Sequence, residues 1–116
     1  MRIRQVVIDS NDPRSLAAFW AELTGRSISE GSVYTSVDDP AGRDVELLIQ
    51  RVSDPPKAQK NRVHLDLYAA DPEREADRAV ALGARRLDRI EEHGYRWVVL
   101  ADPQGNEFCI IASTED

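Results

Sequence analysis

The chain has 116 residues, of which 15 are basic and 21 acidic, for a net charge of −6 and a pI near 4.9. That length suits one domain with a modest core, and an acidic balance without any basic stripe excludes the counterion-releasing surface that nucleic-acid binding needs. No apolar run is long enough to span a bilayer, the N-terminus has no secretory hydrophobic region, and the lone Cys109 excludes an internal disulfide and points to a reducing cytoplasm.

The first predicted strand opens at Gln5 and alternates through Val6, Val7, Ile8 and Asp9. Asp12-Pro13 then reads as a helix start, with Asp12 as N-cap and the proline at the position where its missing N–H is not needed. Leu16, Phe19, Trp20 and Leu23 recur at helical spacing up to Gly25. Three strands follow, the last two joined by a turn of sequence Asp39-Pro40-Ala41-Gly42. Residues 53–61 are polar and contain Pro55-Pro56, which marks a linker.

After the linker the order begins again. His64 opens a strand, Asp71-Pro72 starts a helix with Ala76, Ala79 and Val80 before Gly83, and three strands follow. The first two of these meet in a hairpin at His93-Gly94, and the last two meet at Asp102-Pro103-Gln104-Gly105. The two strand openings and the two Asp-Pro helix starts are 59 residues apart, from 5 to 64 and from 12 to 71. The two Asp-Pro-x-Gly turns are 63 apart, from 39 to 102, so the second half carries four extra residues, placed in the His93-Gly94 hairpin. Such self-similarity is the signature of a duplicated unit. The expected fold is therefore α+β: one domain, 1–116, of two tandem βαβββ modules, residues 1–52 and 62–116, joined by the linker 53–61. The offsets equate Gln5 with His64, Tyr34 with Trp97, Gly42 with Gly105 and Glu46 with Cys109.

Period-2 alternation assigns the faces. Val6 and Ile8, Leu65, Leu67 and Ala69, Val45, Leu47 and Ile49, and Phe108, Ile110 and Ala112 form apolar faces that belong under the helices. Gln5, Val7 and Asp9, His64, Asp66 and Tyr68, Glu46 and Leu48, and Glu107, Cys109 and Ile111 form mixed faces that must look elsewhere.

This ordered duplication resembles the vicinal oxygen chelate superfamily, which includes glyoxalase I, bleomycin-resistance proteins, extradiol dioxygenases and fosfomycin-resistance enzymes. The likeness runs from Ile8-Asp9-Ser10-Asn11-Asp12-Pro13 and Phe19-Trp20, through Val63-His64-Leu65-Asp66-Leu67, to Asp102-Pro103-Gln104-Gly105-Asn106-Glu107-Phe108-Cys109. It implies an open, curled mixed sheet around a central cavity that holds a small-molecule ligand. It also implies that the metal positions of metal-binding relatives fall on Gln5, Glu46, His64 and Cys109, with Glu46 the candidate catalytic carboxylate. Cys109 stands where such relatives have a glutamate, and a thiol that is mostly protonated at neutral pH is a poor substitute. Glu107 shares its face but lies roughly 7 Å away along the strand.

The expectation is accordingly a small-molecule binder without a metal cofactor. The alternative is a glyoxalase-like lyase or isomerase, or a resistance transferase, that uses zinc or another divalent transition metal. Ligand-binding candidates are Gln5, Tyr34, Glu46, His64, Asp66, Trp97, Val99, Glu107 and Cys109, with Tyr95 further along the Trp97 strand. Glu46 otherwise pairs with Arg43 or Arg51, Trp20 is core or an interface between chains, and His93 and residues 88–92 are solvated. A homodimer is expected, because open sheet edges and helix faces such as that of Trp20 gain from being covered.

Overall fold

The computed structural model describes residues 3–56, 58–59 and 61–113. Its elements run β1 (Gln5–Ser10), α1 (Pro13–Thr24), β2 (Ser27–Glu30), β3 (Tyr34–Asp38), β4 (Glu46–Arg51), β5 (Leu65–Ala69), α2 (Pro72–Ala81), β6 (Arg85–Glu92), β7 (Tyr95–Ala101) and β8 (Glu107–Ala112). The chain forms two compact units, Met1–Pro56 and Lys57–Asp116. Residues 57 and 60 of the expected linker lie outside the described residues, as do 1–2 and 114–116 at the ends of the expected modules. Each unit is a βαβββ module with a four-stranded mixed sheet, in the orders β1-β4-β3-β2 and β5-β8-β7-β6. The first and last strands of each module pair in parallel and the others antiparallel. Among the described residues no helix is long and apolar enough to cross a membrane.

The helices begin where the Asp-Pro steps predict. The Asp12 carboxylate accepts from the Ser15 N–H at 3.4 Å and the Asp71 carboxylate from the Arg74 N–H at 3.2 Å. Each satisfies a donor that the first helical turn leaves without an intrahelical partner. α1 buries Leu16, Phe19, Trp20 and Leu23 and ends at Gly25. It lies on the sheet face of Val37, Leu47 and Ile49, all buried. Phe19 and Trp20 meet edge to face, with centroids 5.3 Å apart. Trp20 is only 1% exposed, so it is core of its own unit and supplies no face for another chain to cover.

α2 has a smaller stripe, Ala76 and Ala79, and the large core groups come from the sheet instead: Val98, Leu100, Phe108 and Ile110. Each such aliphatic or aromatic side chain contributes about 1.5–3 kcal/mol on full burial. Val80 departs from the expected stripe at 44% exposed, because a ten-residue helix with alanines toward the sheet turns its next apolar position outward. α2 ends at Ala81 with Leu82 as its C-cap, and the expected stop, Gly83, follows at a φ of 120°.

The two Asp-Pro-x-Gly turns close alike. The Gly42 N–H donates to the Asp39 carbonyl at 3.0 Å and the Gly105 N–H to the Asp102 carbonyl at 2.9 Å, with φ of 65° and 86° at the two glycines, a region that other residues rarely adopt. The second unit's hairpin is longer: β6 has 8 residues against 4 in β2. It reverses through His93 and Gly94, both at positive φ as a two-residue hairpin turn requires.

Candidate functional site in the second unit

The face of the second sheet turned away from α2 lines a cavity of about 530 Å³. It is built by alternation. His64, Asp66 and Tyr68 come from β5 and the residue before it, Tyr95, Trp97 and Val99 from β7, and Glu107, Cys109 and Ile111 from β8. Strand register arranges these side chains in rows across the sheet. One row runs Asp66, Cys109, Val99; the next runs Tyr68, Ile111, Trp97, Ile90. The cavity thus has a polar end and an aromatic, aliphatic end.

At the polar end His64 Nε2 lies 3.1 Å from Asp66 Oδ1. The donor atoms of His64, Asp66 and Cys109 all fall within 4.8 Å of one another. Cys109 is buried, at 8% exposed, while His64 and Asp66 are open to solvent. Glu107 accepts from the Asn61 N–H at 3.0 Å. Imidazole, carboxylate and thiolate are all ligand types that zinc takes, so the donor set suits that ion, with Asp66 supplying a carboxylate beside Cys109.

The ladder corrects one sequence equivalence. In the first unit Gln5 stands opposite Glu46. In the second, the residue opposite Cys109 is Asp66, two places beyond His64. Gln5 with His64 and Glu46 with Cys109 therefore do not hold together as rungs; on the ladder Glu46 corresponds to Glu107. The reason is local. β4 starts four residues after Gly42, whereas β8 starts two after Gly105, so the constant offset through the turn slips by two at the strand.

The first-unit candidates sit on the matching face of the first sheet. Gln5 and Glu46 are neighbours across β1 and β4, and Tyr34 opens β3 opposite Gln50, 46% exposed. Glu46 is one of the groups that act on the carboxylate of Asp38. Asp38 also accepts from Ser36 Oγ and, at 2.8 Å, from Ser29 Oγ. These bonds, Ser36 foremost and then Ser29, hold Asp38 below the usual carboxylate range, and the nearby Arg26 adds to the effect.

Of the nine ligand-binding candidates, His64, Asp66, Trp97, Val99, Glu107 and Cys109 line this one cavity. Tyr95, already noted on the Trp97 strand, lines it as well, and so do Tyr68, Ile90, Ile111 and Ala112, which were not singled out as candidates. Alternation already put Tyr68 and Ile111 on the mixed faces. Ile90 had no such signal, since its place follows from its rung opposite Trp97.

Duplicated βαβββ units, each with a mixed four-stranded sheet, define the vicinal oxygen chelate fold. Residues 5–111 match the Glyoxalase-like domain family, and the chain belongs to it. Solved structures agree in fold at low identity. A glyoxalase/bleomycin resistance protein/dioxygenase family enzyme from Burkholderia phytofirmans PsJN superposes with a TM-score of 0.81 at 16% identity, covering 97% of this chain and 98% of that one. Lactoylglutathione lyase from Agrobacterium tumefaciens gives 0.69 at 16%, covering 97% and 93%. TioX from Micromonospora sp. ML1 gives 0.68 at 13%, covering 97% and 98%. No curated protein matches the sequence.

Proposed function

We propose that this glyoxalase-like protein binds a small organic molecule on the concave face of its second unit, without a catalytic metal. The observation that carries the reading is the cavity itself: about 530 Å³, within the range of small-molecule sites, with apolar walls and a few polar groups gathered at one end. Its test is thermal unfolding with a panel of compounds. A ligand selective for the native state raises the melting temperature, and the shift should vanish in Trp97→Ala. A panel that shifts neither the wild type nor the variant would count against the reading.

One observation favours a second reading, metal-dependent lyase or isomerase chemistry: the imidazole, carboxylate and thiol donors within 4.8 Å of one another. A bound zinc ion would there polarise a substrate oxygen. His64, Asp66 and Cys109 would hold it, and Glu107 is the remaining carboxylate of the cavity. Elemental analysis of protein purified without chelators separates the two readings. Near one equivalent of zinc or nickel that is lost in His64→Ala, with turnover of the methylglyoxal–glutathione hemithioacetal, would establish the enzyme. We further propose a cytoplasmic homodimer. Its lone buried thiol suits a reducing compartment, and light scattering at micromolar concentration tests the assembly.

A further inference from the structure

The charges of the cavity point to a particular class of ligand. Resting on the cavity reading above, we infer that the site selects organic cations that carry an aromatic or branched aliphatic body over neutral and anionic molecules of the same shape. The polar end holds two carboxylates, Asp66 and Glu107, and among the described residues no lysine or arginine lines the cavity. His64 is the one basic group there, and it is already paired with Asp66 at 3.1 Å. Among the described residues that line the cavity, two carboxylates stand against that one imidazole.

Two arginines of the neighbouring strand, Arg86 and Arg89, are committed to other partners. Arg86 binds Glu73 and Asp77 at 2.8 and 2.9 Å, and Arg89 binds Glu73 at 2.9 Å, all on α2. Among the described residues, an anion entering the cavity therefore meets no lysine or arginine on its walls. A cation finds Asp66, open to solvent and able to accept a further bond. At the other end, Trp97, Tyr68 and Tyr95 offer ring faces that attract positive charge as well as apolar area. Their row neighbours Ile111 and Ile90 give a hydrocarbon body a place to lie. Charge and body are thus recognised on adjacent rows of one sheet, two residues or roughly 7 Å apart along a strand.

Three probes of one shape test this: benzyltrimethylammonium, its neutral carbon isostere neopentylbenzene, and phenylacetate, each measured by ligand-observed NMR against the full chain. The cation should bind about tenfold more tightly than the isostere, and phenylacetate more weakly than either. In Asp66→Asn the ratio of cation to isostere affinity should fall below about threefold, and Glu107→Gln, which keeps an acceptor for Asn61, should lower it in the same direction. Phenylacetate binding as tightly as the cation, or a ratio unchanged in both variants, overturns the inference. So does failure of all three probes. If the compound panel still raises the melting temperature in that case, the cavity reading stands and only the ligand class is wrong; if the panel is also silent, both fall.

Discussion

Asp39 and Asp102 organise equivalent turns at different depths. The Asp102 carboxylate, 4% exposed, accepts from the Gln104 and Asn106 N–H groups at 2.9 Å each and from Asn106 Nδ2. Asp39 accepts from the N–H groups of Ala41, Arg43 and Asp44 nearer the surface. Removing a buried acceptor leaves its donors unsatisfied. Asp102→Ala should therefore cost about 2–3 kcal/mol in urea unfolding, and Asp39→Ala much less, because water replaces the lost acceptor. Asp39 is held below the ordinary carboxylate range by those backbone bonds, Asp44 first and then Arg43 and Ala41, and Asp38 by Ser36 and Ser29. The sign follows from linkage. A carboxylate lowered on folding contributes stability that is complete above its unfolded value of about 3.9 and is lost as pH falls through the lower folded value. Stability should thus decline below about pH 4. In Ser36→Ala, NMR titration should find the Asp38 midpoint raised toward the ordinary value and the decline in that window shallower. An unchanged midpoint would show that the serine bond does not set it.

Asp12 and Asp71 make the helix starts readable before any tertiary contact is known. Replacing either by alanine should cost about 1 kcal/mol of unfolding free energy, since one cap bond is lost at each. Trp20→Ala, by contrast, empties the centre of the first unit and should cost about 3–5 kcal/mol, enough to abolish a cooperative thermal transition near room temperature. These elements were legible because each rests on local chemistry: Asp-Pro for the caps, spacings of three and four for Leu16, Phe19, Trp20 and Leu23, and Gly42 and Gly105 for the turns. Face assignments were legible for the same reason, and they carried His64, Asp66, Glu107 and Cys109 to one side of a sheet, whereas Trp97 and Val99 were reached through the family resemblance. Register was not. The two-residue slip between Gly42 and β4 follows from how Asp39 gathers the backbone of Arg43 and Asp44, a choice between loop conformations that composition does not announce. Ile90 was hidden likewise, because the bulge between Arg86 and Asp88 shifts β6 against β7 and decides which of its residues meets Trp97. Val80 was misread because a helical stripe says which positions share a face, and not how wide a strip the sheet covers.

Both sheets are open, and their edge strands are where another strand could pair. The edge strands are β1 and β2 in one unit and β5 and β6 in the other. An open edge offers unpaired backbone donors and acceptors to any other chain, and charges and bulges are the usual guards against such pairing. β6 has both: Arg85, Arg86, Asp88, Arg89, Glu91 and Glu92 among its eight residues, with a bulge between Arg86 and Asp88. A dimer should therefore form elsewhere than through β6, and the charges there should limit growth beyond it. The double substitution Arg89→Thr with Glu91→Val tests the point. It removes two surface pairs, Arg89–Glu91 at 3.1 Å and Arg89–Glu73 at 2.9 Å, each contributing roughly 0–1 kcal/mol to folding, and it turns part of a charged edge into a β-favouring one. Multi-angle light scattering at micromolar concentration should give the wild type as a dimer and the variant as a dimer with added higher-order species that increase with concentration. If the variant dissociates to monomers, β6 is itself the interface; if its mass distribution matches the wild type at every concentration, the edge charges do not guard against association.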